Sequence, residues 1–236
     1  ELVVKMGVQF NLWGETIYRL GTNKHFDFLR KTEKLEIFGC FAMTEIGHGS
    51  NVMKLETKAN YDVIKREFII HSPTYTSHKY WIGQSYLFAQ YAIVFAQLYI
   101  QDKCFGVHPF IVKLRDESGI CNGVIIKDCG AKNGLNAIDN GEIYFDHVRI
   151  PYKNLLDKFG FIDEDSNYHS RKGRFSKMLN ELTKNRFGLG EGCNIISRYF
   201  LKQTLRYTLN RKQFGPKNRE ISILSYPSHQ KKLFPL

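Results

Sequence analysis

"QYAIVFAQLYI", Gln90–Ile100, is the most apolar run in the chain, and its reading decides the fold. A bilayer-crossing helix needs about 20 apolar residues, so this run is too short to be one. Its Ile, Val, Phe and Tyr are strand formers, and the runs around it share that texture. "REFIIHS" (66–72), "VHPFIVKLRD" (107–116), "GVIIKDCG" (123–130) and "GEIYFDHVRIP" (141–151) are short, apolar and bounded by Gly, Pro, Asn or Asp. Such runs at short spacing, with no room for helical crossovers, predict an antiparallel barrel or sandwich.

Outward from this centre the texture becomes helical on both sides. "ELVVKMGVQFNLWGETIYRLG" places Val4, Val8, Leu12 and Ile17 near helical spacing, with Gly21 as the stop. "NRFGLGEGCNIISRYFLKQTLRYTLNRKQFG" (185–215) reads as a long helix ending near Gly215. Its glycines at 188, 190 and 192 would weaken an isolated helix, which implies tight packing against a neighbour. "SYPSHQKKLFPL" begins a further amphipathic segment and stops abruptly. The expected class is α+β: a central antiparallel β domain over 35–151, between the end of one helical domain (1–34) and the start of another (152–236). The abrupt end reads as that of a piece of a longer protein.

The chain has 236 residues and a formal net charge of +11. That charge favours polyanionic partners: nucleic acid, an anionic surface or a phosphate-bearing cofactor. The basic residues are spread along the chain, "RKGR" (171–174) being a modest cluster, and no nucleic-acid-binding signature accompanies them. Nucleic acid is therefore not the expected partner. Five cysteines, an odd number without a CxxC pair, give no reason to expect a metal site or disulfide framework, and they fit a reducing compartment.

Three short motifs could carry chemistry. In "CFAMTEIGHGSN" (40–51), Gly47 and Gly49 let the backbone approach a ligand, and Ser50 adds a hydroxyl and an amide. A glycine-bearing turn between strands explains the same residues, and Glu45 or His48 could serve as a base or as structure. Trp81 in "KYWIG" (79–83) could stack on a flat cofactor or sit in the core. Arg211 in "RKQFG" (211–215) suits a phosphate, or is a solvated cation in a last helical turn.

Together and in this order, "MTEIGHGSN", "KYWIG", "NGLNAIDNG" and "RKQFGP" resemble the acyl-CoA oxidases of the acyl-CoA dehydrogenase superfamily, within it the medium-chain, plant-like oxidases. The resemblance implies FAD as cofactor, with Met43, Thr44, Gly49, Ser50, Trp81 and Gly83 around it and Ser50 also facing acyl-CoA. It makes Glu45 and His48 scaffold. Arg211 and Phe214 match residues that reach the FAD of a neighbouring subunit, so a homodimer is implied. The implied reaction oxidises acyl-CoA to trans-2-enoyl-CoA with molecular oxygen reduced to hydrogen peroxide, the first step of fatty acid β-oxidation, in the peroxisome. No catalytic residue is assigned in this chain, because the family's catalytic Glu is expected beyond Leu236; the piece alone is expected to lack turnover. Gly83 stands where the dehydrogenases carry Thr, and its missing side chain would open space for oxygen beside the flavin. A dehydrogenase using another electron acceptor, or a non-catalytic flavin- or acyl-CoA-binding scaffold, are the alternatives.

Overall fold

Six β-branched or aromatic residues among ten build the most apolar strand, β5 (Tyr91–Ile100), and the first sheet assembles around it. A computed structural model of the chain describes residues 2–183 and 185–235. One edge of β5 is covered antiparallel by β6 (Lys103–Lys113). The other edge takes two parallel partners in succession, β1 (Gly39–Ala42) along Tyr91–Val94 and β2 (Lys58–Asp62) along Gln97–Tyr99. β3 (Glu67–His71) and β11 (Val148–Pro151) extend the sheet antiparallel beyond β2. β4 (Lys79–Ile82), β10 (Gly141–Phe145) and β9 (Val124–Asp128) form a second, three-stranded sheet. β7 (Arg115–Asp116) and β8 (Gly119–Ile120) make a short hairpin. Pro109 is accommodated in β6 because that strand lies at a sheet edge, where a missing N–H breaks no ladder.

The inner faces of the two larger sheets share one core, with Phe68, Val94, Phe110, Ile143 and Phe145 all buried. The opposite face of β5 supplies Ile93 and Phe95 to a second core, closed by Trp13, Ile17 and Leu20. After α1 (Leu2–Met6), which buries none of its residues, Trp13 comes from a π-helical stretch (Gly7–Gly14) and Ile17 and Leu20 from α2 (Glu15–Leu20). The wider π turn alters which residues face inward. Val8 and Ile17 are buried as the spacing predicts, but Val4 is exposed, and Gln9, Trp13 and Leu20 share the inner face. The Trp13 indole N–H donates to Thr32 Oγ1 (2.8 Å) in α3 (Phe26–Glu33), while Gln9 bridges the Ile37 carbonyl (2.8 Å) and the Gly39 N–H (3.0 Å).

Two stretches depart from the sequence reading. "GEIYFDHVRIP" is two strands in different sheets, turned at Asp146–His147, where His147 is left-handed (φ 53°). Beyond Pro151 another hairpin, β12 (Gly160–Ile162) with β13 (Tyr168–Ser170), precedes α4 (Arg174–Thr183). The chain separates into two compact units, one reaching Leu182 and the next starting at Thr183. In the second, α5 (Asn185–Asn210) ends before the expected Gly215. β14 (Lys212–Phe214) and β15 (Glu220–Ser222) follow as a hairpin, then α6 (Pro227–Leu233). No described helix is long and apolar enough to cross a membrane.

Candidate flavin-binding site

The segment after β1 is held from below by a buried ion pair. Lys79 Nζ donates to Glu45 Oε1 (2.9 Å), the Met43 carbonyl (3.1 Å) and the Phe95 carbonyl (2.7 Å), so all three of its protons are used. Glu45 Oε1 also accepts from the Thr57 N–H (3.0 Å) and hydroxyl (2.6 Å), and Oε2 from the Glu56 N–H (2.7 Å). Both side chains are fully buried. Burial pushes the Lys79 ammonium down from its ordinary value, with Glu45 opposing. A charge so enclosed persists only when paired and hydrogen-bonded.

Above this pair the backbone forms a tight turn. Glu45 N–H donates to the His48 carbonyl (3.1 Å) and His48 N–H to the Glu45 carbonyl (3.1 Å). Ile46 and Gly47 donate to the carbonyls of His78 (3.0 Å) and Thr76 (2.9 Å), which fastens the turn to the neighbouring segment. The two glycines differ. A Cβ at Gly47 would crowd Thr76 Cβ at 3.1 Å and Glu56 Oε1 at 3.2 Å, whereas at Gly49 it would meet nothing within 4 Å. Gly49 and Ser50 are exposed, so their backbone is open to a ligand. The neighbouring carboxylate, Glu56, accepts from the Thr74 and Thr76 hydroxyls, and the Thr74 bond leads in holding its pKa low. Glu45 and Glu56 are thus structural, and neither is free to act as a base.

Thr44 ties this turn to β4. Its hydroxyl donates to the Tyr80 carbonyl (2.9 Å), and Tyr80 N–H donates to the Thr44 carbonyl (3.1 Å). β4 bulges beside it: Ile82 pairs with Gly141 and Lys79 with Ile143, so three steps of β4 oppose two of β10. At the bulge Trp81 takes a left-handed backbone (φ 64°), a strained state for a bulky residue. The alternation of the strand breaks there. Lys79 and Ile82 point inward, and Tyr80 and Trp81 both face solvent, Trp81 being 51% exposed. The Asn140 amide donates to the Trp81 carbonyl (3.1 Å), so the "NAIDNG" stretch pins the bulge. An indole turned outward at some conformational cost, on the strand to which the Thr44–Gly47 segment is hydrogen-bonded, and an open glycine–serine backbone at the end of that segment fit the flat ring and phosphates of a flavin dinucleotide.

The first unit brings Met43, Thr44, Gly49, Ser50, Trp81 and Gly83 to one region of the fold. Met43 is core: its side chain is buried in the helix–sheet cluster and its carbonyl is taken by Lys79. Gly83 corrects an expectation. The space beside it is not open, because a Cβ there would meet Ile138 Cγ2 at 3.3 Å and Val8 Cγ2 at 3.4 Å. Arg211 and Phe214 lie in the second unit. Arg211 follows α5, its carbonyl accepting from the Ile223 N–H (2.9 Å). Phe214 is 87% exposed at the end of β14, its carbonyl held by the Tyr226 hydroxyl. Gly215 is required by close approach, since a Cβ would fall 2.4 Å from the Arg219 carbonyl oxygen. Lys79 is the functional residue that sequence reasoning missed; a lysine between His78 and Tyr80 carries no local signal of burial.

Residues 40–148 match the acyl-CoA dehydrogenase middle-domain family. Peroxisomal acyl-coenzyme A oxidase 3 of Arabidopsis thaliana is 42% identical over 99% of this chain, which covers 36% of that protein. The structure of Arabidopsis thaliana acyl-CoA oxidase 1 superposes with a TM-score of 0.89 at 33% identity, over 98% of this chain and 36% of that one. Caenorhabditis elegans acyl-CoA oxidase-2, solved with FAD, ascaroside-CoA and ATP, gives 0.92 at 32% identity, over 98% and 36%. The chain thus spans about a third of the length of these relatives. Nearly the whole length of the chain is thus similar to about a third of such acyl-CoA oxidases, with a match to the acyl-CoA dehydrogenase middle domain at its centre.

Proposed function

We propose that this chain forms the flavin- and acyl-CoA-binding part of a peroxisomal, FAD-dependent acyl-CoA oxidase. The observation that carries the reading is the open Gly49–Ser50 backbone and the outward-turned Trp81, borne by two segments that a floor of Lys79 and Glu45 holds together. Trp81 flanks the ring. The Thr44 hydroxyl, its proton committed to Tyr80, keeps its lone pairs for a donor on the cofactor. Gly49 and Ser50 hold the pyrophosphate, and Ser50 also meets acyl-CoA. Met43 contributes through backbone, and Gly83 lets the chain turn beside the ring. Arg211 and Phe214 reach the FAD of the second subunit of a homodimer. A bound flavin would supply the two-electron acceptor, with molecular oxygen as the terminal oxidant.

The base that removes the substrate's α-proton lies outside this cradle. The two carboxylates nearest the cradle are already engaged, Glu45 by Lys79 and Thr57, Glu56 by Thr74 and Thr76. The packing around Gly83 means that the preference for oxidase over dehydrogenase rests on the similarity to oxidases and not on free volume beside the ring.

The test is FAD titration of the purified chain, followed by flavin fluorescence and melting temperature. FAD should bind and raise the melting temperature by mass action. Gly49→Val fills the open space and should weaken binding at least about tenfold, a loss of about 1.4 kcal/mol. It should leave the melting temperature without FAD unchanged, because no atom lies within 4 Å of that Cβ. The chain alone should give no acyl-CoA-dependent peroxide. Equal FAD affinity in Gly49→Val would remove the cradle from the reading.

A further inference from the structure

The turn between β10 and β11 brings two imidazoles and a carboxylate together away from the cradle. His71 closes β3, while Asp146 and His147 form the turn. Backbone bonds fix the frame: Ser72 N–H to the Phe145 carbonyl (2.8 Å) and Asp146 N–H to the Gly123 carbonyl (2.7 Å). The left-handed backbone at His147, unusual for a non-glycine residue, sets its ring over that of His71 with centroids 3.9 Å apart. His147 Nδ1 lies 2.7 Å from Asp146 Oδ1, and His71 Nδ1 lies 3.7 Å from the same oxygen. The last distance is too long for a hydrogen bond, and His71 Nδ1 is buried, with the Phe145 backbone facing the ring but no hydrogen bond of good geometry formed. A buried nitrogen left unsatisfied beside a carboxylate and a second imidazole is an arrangement a metal ion would complete.

We propose that His71, Asp146 and His147 bind a divalent transition-metal ion of the zinc class. Two imidazoles and one carboxylate suit Zn²⁺ and its neighbours, and not Mg²⁺ or Ca²⁺, which take oxygen ligands. One ligand atom from each residue lies within 4.8 Å of the others. Zinc bonds of about 2.0–2.1 Å put tetrahedral ligands about 3.3 Å apart, so the site must tighten. The parts that can move are at the surface: the side chains of His147 and Asp146 are 66% and 55% exposed, whereas that of His71 is 22% exposed and acts as the fixed anchor. Lys58, across the β2–β3 pair from His71, is the cation facing the site. The remaining coordination position falls to water. The ion clasps the end of β3 to the β10–β11 turn and so joins the two sheets. The cysteine count gave no sign of this site, because its ligands are two histidines and an aspartate, with His71 far in sequence from the adjacent Asp146 and His147.

The experiment is calorimetric titration of chelator-treated protein with Zn²⁺ alone, with Co²⁺ absorption as a ligand readout. One equivalent should bind, and Co²⁺ should show d–d bands without a thiolate charge-transfer band. His147→Ala and Asp146→Asn should each weaken binding at least about tenfold, and His229→Ala in the second unit should not. Zn²⁺ should raise the melting temperature of the unsubstituted chain and not of His147→Ala. His147 is exposed, so that variant keeps the fold. Unchanged affinity in His147→Ala, or a thiolate band, would overturn the assignment.

Discussion

β5 and α5 are both rich in large apolar residues, and they place them in opposite ways. In β5, Ile93, Val94, Phe95 and Leu98 are completely buried, shared between two cores on the two faces of the sheet. In α5, Phe187, Leu189, Ile195, Ile196, Tyr199 and Phe200 are all exposed, Phe187 to 82%. The first unit therefore carries its own hydrophobic driving force, whereas the long helix of the second finds little cover among the described residues. The first unit should respond to substitution as a close-packed interior does, and the helix as an isolated helix does.

The largest effect should come from the floor of the cradle. Lys79→Met leaves the Glu45 carboxylate buried with only the Thr57 and Glu56 donors. Removing one partner of a buried pair costs about 3–5 kcal/mol. Urea unfolding should show that loss, and Lys79→Met/Glu45→Gln should recover part of it by removing the stranded charge. If the single variant unfolds at the original midpoint, the pair contributes nothing and the cradle floor is held by the backbone alone.

Much of the strand inventory was legible. β3, β5, β6 and β9 are runs of β-branched and aromatic residues with turn formers at their ends, a local signal. β1, β2 and β4 ("GCFA", "KANYD", "KYWI") were not, because four or five residues of mixed polarity carry no period. The parallel pairing of β1 and β2 with β5 was equally hidden, since it depends on where the chain returns. The split of "GEIYFDHVRIP" was missed because its turn has His147 at positive φ where glycine or asparagine would be expected. The π-helical stretch changed which face of the first helical segment is buried. In the site, the glycine–serine loop was legible as a motif. Its meaning came from the order of several motifs along the chain, and no single residue supplied it. Lys79 and the Trp81 bulge exist only through tertiary pairing.

The next effect tests close packing directly. A Cβ on Gly39 would fall 2.0 Å from Trp13 Cδ2, and that indole is fully buried and held by Thr32. Gly39→Ala should therefore destabilise the first unit by about 3 kcal/mol, the upper range for overpacking. Combining it with Trp13→Leu should cost less than the sum of the two single substitutions, because the indole is the obstacle. Additive losses would mean that the clash is relieved by backbone movement instead.

Acid should then separate the two units. His108 is buried, with Nδ1 2.8 Å from the Gly106 carbonyl and Nε2 2.7 Å from the Tyr168 hydroxyl. The carbonyl can only accept, so Nδ1 carries the proton and Nε2 accepts from Tyr168. Burial, reinforced by the nearby Arg174 guanidinium, pushes its pKa down to about 3, with the Gly106 bond opposing. His25 is pushed the same way by burial, against Asp157. The folded pKa lies below the unfolded value of 6.5, so the unfolded chain takes up a proton that the folded chain refuses. Stability is full above pH 6.5 and falls as pH drops toward 3, by about 1.4 kcal/mol per pH unit for one such group. His108→Gln should flatten that slope in chemical denaturation at stepped pH. The helicity of the second unit should show no matching change, and a parallel acid loss there would join the units into one cooperative block.

The smallest effect reverses the sign of a glycine substitution. Gly192 lies inside α5, and a Cβ built on it meets nothing within 4 Å. Alanine is favoured over glycine in a helix interior by about 0.8–1.0 kcal/mol, chiefly because glycine loses more backbone freedom on ordering. Gly192→Ala should therefore raise the helicity and stability of the second unit by about 1 kcal/mol, read by far-UV circular dichroism during heating. Gly39→Ala does the opposite in the first unit because its Cβ enters an occupied core. The contrast fails in an informative way if Gly192→Ala destabilises. Since that Cβ meets nothing among the described residues, the harm would then come from contact with a second molecule, and the loss should grow with protein concentration. Sedimentation of the unsubstituted chain would show self-association over the same range, and the exposed Ile195, Ile196, Tyr199 and Phe200 would lie within that contact.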